Sequence, residues 1–435
     1  MSRTSTTTLA IAPSVHMEAI FYVQASTSAW PIAWHRDNAA MTLAYESIKP
    51  GQPGTHVLAI GVGSYPHLLG GNGKLANAPL GLKQLESPQV SLKALLDWFL
   101  PPGSPHGATS FQNDRVPLAS IEALASAAQP VILGLPNGPV ELAPATRQNI
   151  QEAFESWLER LKSNPENIGV FYFCGHGVSA ADHYLLAEDF GKSNAQPWAH
   201  AFDISTTIRA VERVAPGAVY YFIDACREIS REIAMTLGAN PTALYLLDLQ
   251  KKVICRSVTA IFATGEGALA YAPKGGSVSR FTSALICALS GYCGVKAPGT
   301  TTWNVDGEGI AAAIRQLLEY ETLNASTRND ECIQVSEQRV QGISVPLLRI
   351  AAVPKVKVWL DLSPRQRRAL YERYLVSSKG ERVAEKGLDD VYKVEVPRGF
   401  YEVGAHDPEG SLPAIVHLDE ELVPPIYPLT LESPL

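Results

Sequence analysis

Charge is scarce in this chain and nowhere concentrated. Asp, Glu, Lys and Arg make up 18% of the 435 residues, the net charge is -7, and no Lys/Arg-rich run occurs. Nucleic acid binds to a basic face, so no nucleic-acid partner is expected. Long apolar stretches are missing too. None approaches the roughly 18 residues that span a bilayer. The N-terminus, Met1-Ser-Arg-Thr-Ser-Thr-Thr-Thr, meets only Leu9-Ala-Ile-Ala12 before Pro13, which is too short for a secretory h-region. No membrane is expected, and the default location is cytoplasmic.

Cysteine is sparse and unpatterned. Cys174, Cys226, Cys255, Cys287, Cys293 and Cys332 form no CxxC pair and no regular framework, which in a chain this long means reduced thiols. HExxH, GxSxG and zinc-spaced Cys/His sets are absent. Gly70-Gly-Asn-Gly-Lys74 is followed by Leu75 where a phosphate loop needs Ser or Thr. Gly265-Glu-Gly-Ala-Leu-Ala270 imitates a dinucleotide turn but lacks the acid about 20 residues further on. No dense carboxylate cluster of calcium-binding kind occurs. The expected cofactor is therefore none, and the expected metal none.

What is present is a hydrophobic content of 46%, enough for one large α/β core and a smaller module. Continuous apolar runs alternate with amphipathic stretches. Thr55–Gly61, Gly169–Cys174, Tyr184–Ala187, Val219–Ile223 and Val258–Ala263 read as buried strands. Val15–Val23, Val131–Gly134 and Val140–Leu142 are weaker candidates. Helices are expected near 90–99, 205–214 and 281–289. Another begins at Thr146, with Ile150, Phe154, Trp157, Leu158 and Leu161 on its apolar face. Residues 101–120 read as loop and 228–250 as a helical linker. Runs of this kind belong to a parallel sheet covered on both faces. After Pro354 the texture changes to alternation, as in Lys355-Val-Lys-Val-Trp-Leu360 and Val391-Tyr-Lys-Val-Glu-Val396. That predicts a small antiparallel β module with one exposed face. The expected divisions are an N-terminal extension over 1–50, a main domain over 51–353 and the module over 354–435. No internal repeat is evident.

Two of the apolar runs deliver reactive side chains to their C-terminal ends. One reads Gly169-Val-Phe-Tyr-Phe-Cys-Gly-His-Gly177 and the other Val219-Tyr-Tyr-Phe-Ile-Asp-Ala-Cys-Arg227. Open parallel sheets place their chemistry there. A thiol attacks as thiolate, and a free cysteine of pKa about 8.5 is only a few per cent ionised at neutral pH. His176 is positioned to act as its acid/base, with Arg227 and the helix expected after it as further aids. The N–H groups of Gly177 and Cys226 are the candidate oxyanion donors, and the glycines flanking His176 leave room for a substrate backbone. Alone, a cysteine or histidine at a strand end is more often core packing. The pair, in this order and spacing, is what points to a cysteine nucleophile. Cys174, two residues before His176, falls on a core position by strand alternation. His183, His67 and His56 have no identifiable partner in the sequence.

These segments together resemble the caspase-like cysteine peptidase superfamily of caspases, metacaspases, paracaspases and legumain-type enzymes, over roughly residues 55–350. Leu58-Ala-Ile-Gly-Val-Gly-Ser-Tyr-Pro66 resembles the opening strand and loop. Cys174-Gly-His-Gly177 resembles the histidine loop and Ile223-Asp-Ala-Cys-Arg227 the cysteine loop. Ala263–Tyr271, then Arg280-Phe-Thr-Ser-Ala-Leu285, resembles the next strand and helix of bacterial members. The resemblance implies a mostly parallel sheet sandwiched by helices. It implies Cys226 as nucleophile and His176 as general acid/base. It also implies that Asp224, two residues before the nucleophile, lies in the specificity pocket and selects Arg or Lys, as in metacaspase-like members; the bland alternative is a turn cap. A second pocket acid common in the family is replaced here by Ser91, in Gln89-Val-Ser-Leu92. Arg231, Lys251 and Lys252 lie where relatives are cut during activation, so self-processing is one reading and a solvated face the other. The expected partner is a protein or peptide substrate, with the C-terminal module binding a regulatory protein or controlling access. Two rival readings remain open: a catalytically silent scaffold of the same fold, and a thiol acyltransferase or amidase.

Overall fold

A strand that is mostly apolar on both faces has no face to show to water, so it belongs in the middle of a covered sheet. Four such strands carry this fold. In the computed structural model, which describes residues 42–100, 111–135, 138–179, 182–227, 241–265, 276–326, 334–385 and 390–433, the main sheet has seven strands. They are β1 (Leu43–Glu46), β2 (Thr55–Val62), β3 (Leu118–Ser126), β4 (Ile168–Gly175), β8 (Ala218–Ala225), β9 (Ser257–Phe262) and β10 (Glu337–Gly342). Between β4 and β8 lies a small three-stranded sheet of β5 (Gly177–Ser179), β6 (His183–Leu186) and β7 (Ala201–Asp203). The main sheet runs in the order β1-β3-β2-β4-β8-β9-β10. Its five central strands are parallel, and β1 and β10 close the edges antiparallel. Every residue of β2, β4, β8 and β9 is buried.

Helices cover both faces. On one lie α1 (Ser87–Phe99), α4 (Arg280–Cys287) and α5 (Gly307–Ser326), packed on Val170, Tyr172, Tyr220 and Phe222. On the other lie α2 (Arg147–Lys162) and α3 (Ile204–Val211), packed on Phe171, Phe173, Tyr221 and Ile223. Successive residues of β4 and β8 thus serve opposite cores, as a period of two requires. Cys174 is buried in the first core, as its place in the alternation predicts. The α2 helix starts where expected: Thr146 accepts the Asn149 N–H, and Arg160 and Lys162 occupy the last turn, where the helix dipole favours cations.

Three local expectations need correction. The loop expected through residue 120 gives way at Leu118 to β3, Leu-Ala-Ser-Ile-Glu-Ala-Leu-Ala-Ser. These residues have weak strand propensity; pairing with β2 and β1 overrides it. The buried Glu122 is answered by Arg160 at 2.6 Å and by the Thr42 hydroxyl at 2.5 Å. The linker expected to be helical over 228–250 is not helical over 241–250, which form bends, turns and one bridge after Pro241; residues 228–240 lie outside the described residues, as does the strand candidate Val15–Val23. The module after Pro354 contains two sheets, and one of its pairs is parallel. Lys355–Ser363 sits between an antiparallel Tyr392–Pro397 and a parallel Ile426–Glu432. The second sheet has four antiparallel strands, with Glu372–Ser377 and Gly399–His406 at its centre. Val356, Val358 and Leu360 of the first sheet share a core with Leu375, Tyr401 and Val403 of the second. Among the described residues no helix is long and apolar enough to cross a membrane.

Candidate active site

The register of two strands decides what meets at the sheet's C-terminal end. β4 and β8 are parallel neighbours, and Gly175 pairs with Ala225. The next residues, His176 and Cys226, therefore leave the sheet side by side. His176 is buried at 9% exposure and Cys226 is half-buried.

His176 is held from three directions. Its Nε2 lies 2.7 Å from the Lys83 carbonyl oxygen. A carbonyl only accepts, so Nε2 carries the hydrogen in the neutral ring and Nδ1 keeps its lone pair. Its backbone N–H donates to the Tyr65 hydroxyl at 2.8 Å, and the two rings lie 4.9 Å apart between centroids. Burial pulls the His176 pKa below the ordinary histidine value, and the Lys83 carbonyl partly opposes that. Burial likewise pushes the Tyr65 phenol far above its usual range, so it stays protonated.

The glycines around His176 serve the protein's own packing. A Cβ on Gly175 would stand 2.9 Å from the Tyr65 hydroxyl oxygen, and one on Gly177 would stand 2.7 Å from the Cys226 carbonyl oxygen. Gly177 opens β5 and pairs with Leu185, while the Leu186 N–H donates to the His176 carbonyl at 3.0 Å. In an antiparallel ladder that pattern turns the Gly177 N–H away from β6.

Cys226 follows the end of β8. Its carbonyl accepts from Nε2 of His183, 3.2 Å away. Arg227 pairs with Glu337, and its guanidinium lies 5.0 Å over the Phe262 ring. Asp224 is 4% exposed and sits among the chain's own donors. The Ser279 hydroxyl, the Thr282 hydroxyl at 2.7 Å and the Cys174 thiol at 3.5 Å all donate to its Oδ2. Ser279 is also the N-cap of α4, and its N–H donates to Ser91 Oγ at 2.9 Å. Ser91 is thus linked to Asp224 through one residue. Burial raises the Asp224 pKa and these donors oppose the rise; burial also raises that of the Cys174 thiol well above normal, with the Asp224 charge adding to it.

The structure thus brings His176, Cys226 and Gly177 to one place and sets Asp224 one layer below. Tyr65, Lys83, His183, Ser279 and Thr282 belong to the same surroundings, although the sequence had marked none of them for a role there. Arg231 lies outside the described residues, whereas Lys251 and Lys252 are exposed.

A mostly parallel sheet between helix layers, with a histidine and a cysteine leaving adjacent central strands, defines a caspase-like α/β protein. Residues 131–335 match the caspase domain of peptidase family C14. An uncharacterized protein, y4kE, of Sinorhizobium fredii (strain NBRC 101917 / NGR234) is 35% identical over 298 residues, covering 65% of this chain and 82% of that protein. The chain belongs to the caspase-like peptidase family. The family match begins after β2, so Tyr65 and Lys83 lie outside it.

Proposed function

We propose that this chain is a cysteine endopeptidase with Cys226 and His176 as its dyad. The single observation that carries this reading is the Gly175–Ala225 register, taken with the tie between His176 Nε2 and Lys83 that leaves Nδ1 free to accept. In acylation Nδ1 takes the thiol proton, and sulfur bonds to the scissile carbonyl carbon. The C–N bond then breaks, with that proton passing to the amine nitrogen. Water, deprotonated by Nδ1, cleaves the thioester and regenerates the thiol. The N–H groups of Gly177 and Cys226 receive the developing oxyanion, and the turn of the Gly177 N–H away from β6 supports that assignment.

Asp224 is proposed to favour Arg or Lys at the cleaved position. Its place two residues before Cys226 supports this, as does the fact that its three hydroxyl and thiol donors all fall on Oδ2. A cation near a poorly solvated carboxylate is attracted, and an acidic side chain repelled. Exposed Lys251 and Lys252 are then candidate self-processing positions.

Labelling of the purified chain by an arginyl chloromethylketone tests the reading. Covalent label on Cys226, lost in Cys226→Ala and not reproduced by the aspartyl reagent, is expected. No label under any activating condition would leave the scaffold reading standing. Turnover of acyl esters but of no peptide would favour the acyltransferase or amidase.

A further inference from the structure

The peptide unit after Cys226 is gripped by a side chain that has no other hydrogen-bond partner among the described residues. His183 begins β6, is 1% exposed, and aims Nε2 at the Cys226 carbonyl oxygen 3.2 Å away. Since the carbonyl can only accept, Nε2 bears the hydrogen. Nδ1 is then a buried acceptor, and it has no hydrogen-bond partner among the described residues. Burying a polar atom without a partner is unfavourable. An apolar ring would fill the same space without that cost, so what the imidazole adds here is the one N–H directed at Cys226.

The surroundings keep that N–H neutral and aimed. A Cβ on Gly177 would stand 2.8 Å from His183 Nε2 as well as 2.7 Å from the Cys226 oxygen, so the absence of a side chain there lets donor and acceptor meet. The Phe262 ring lies 5.7 Å from the imidazole, and Arg227 sits over that same ring. Burial, then the Arg227 charge, hold the His183 pKa down to about 3, against the opposing pull of the Cys226 carbonyl.

We propose that His183 is a positioning residue for Cys226: its Nε2–H fixes the Cys226 carbonyl, hence the backbone torsion of the nucleophile and the direction in which its sulfur leaves the strand end. The proposal rests on the reading of Cys226 as nucleophile. Without the donor the peptide plane can rotate, and the sulfur moves relative to His176. Displacements on the order of 1 Å are enough to slow such sites severely.

Alkylation by iodoacetamide, followed peptide by peptide in the full-length chain, reads the thiol without any peptide substrate. Cys255, whose thiol donates to Gly217 O at 3.1 Å near the opposite end of the sheet, serves as internal reference. His183→Phe is expected to slow alkylation of Cys226 by about tenfold, the worth of one hydrogen bond, with Cys255 unchanged. His183→Gln, which keeps a neutral N–H donor, is expected to restore most of the rate. If His183→Phe does not fold, His183→Asn, whose amide is too short to reach, takes its place with the same expected loss. An unaltered Cys226 rate in the donorless variant, or failure of His183→Gln to restore it, overturns the proposal. A wild-type Cys226 no faster than Cys255 would instead remove the nucleophile reading beneath it.

Discussion

His176 gives its Nε2 to the carbonyl oxygen of Lys83, 2.7 Å away, and so keeps the lone pair on the other ring nitrogen. The choice of tautomer is made by a main-chain atom. A carboxylate in that position would stabilise an imidazolium strongly. A carbonyl does so weakly, while burial disfavours it. The ring is therefore held neutral, with Nδ1 as its acceptor.

Tyr65→Phe removes the acceptor of the buried His176 N–H, which is bonded to the Tyr65 hydroxyl at 2.8 Å. An unsatisfied buried donor costs about 1–3 kcal/mol. The urea midpoint is expected to fall accordingly, and labelling of Cys226 to slow, because the histidine loop loses its tether. Equal urea midpoints for the two proteins would show that the bond contributes nothing.

Gly177→Ala places a methyl group 2.7 Å from the Cys226 carbonyl oxygen, 2.8 Å from His183 Nε2 and 2.9 Å from the Ala225 Cβ. The sheet holds the end of β8 in place, so the strain falls on the histidine loop and on the His183 ring. Activity or labelling is expected to drop roughly a hundredfold, with a smaller change in melting temperature. Kinetics on a protein of confirmed fold provide the check.

Asp224 allows its structural and electrostatic roles to be separated. Asp224→Ala strands three buried donors and is expected to cost about 2–5 kcal/mol in chemical denaturation. Asp224→Asn keeps one oxygen for those donors but removes the charge. It is expected to fold while losing most of any preference for arginyl over neutral substrates. Full retention of that preference in Asp224→Asn would refute the assignment of specificity to this residue.

His56 is a third buried histidine, hydrogen-bonded to the Ser120 hydroxyl at 2.8 Å, and burial, then the Arg160 charge, lower its pKa to about 4. The unfolded chain takes up a proton there below pH 6.5, whereas the native state does not until about pH 4. Its neutral burial therefore destabilises the fold increasingly as pH falls from 6.5 to 4 and is harmless above 6.5. His56→Gln is expected to narrow the gap between urea midpoints at pH 4.5 and pH 7. An unchanged gap would mean that His56 carries no acid sensitivity.

The sequence made the centre of the sheet readable because β2, β4, β8 and β9 are mostly apolar and have no alternating polar face. It made Cys226 and His176 readable because each ends such a run. Thr146 and the apolar face behind it announced α2 for the same kind of reason. β3 was hidden by its Ala, Ser and Glu, since pairing with β2 outweighs propensity. Lys83 was unreadable because its contribution is a carbonyl that every residue possesses. His183 looked partnerless because its partner is the main chain of a residue 43 positions away. In the C-terminal module, alternation revealed which side chains face inward but not the direction of the neighbouring strand. The parallel pairing of Lys355–Ser363 with Ile426–Glu432 went unforeseen for that reason.

That parallel pairing sets a timetable for maturation. On the ribosome the main sheet has all its strands once Gly342 has emerged, and it can close then. The small sandwich cannot, because its first strand waits for its last: Leu362 shares a core with Leu431. For the whole interval of synthesis between them, one hydrogen-bonding edge of Lys355–Ser363 stays without its partner strand, and chaperone demand during translation should peak over this segment.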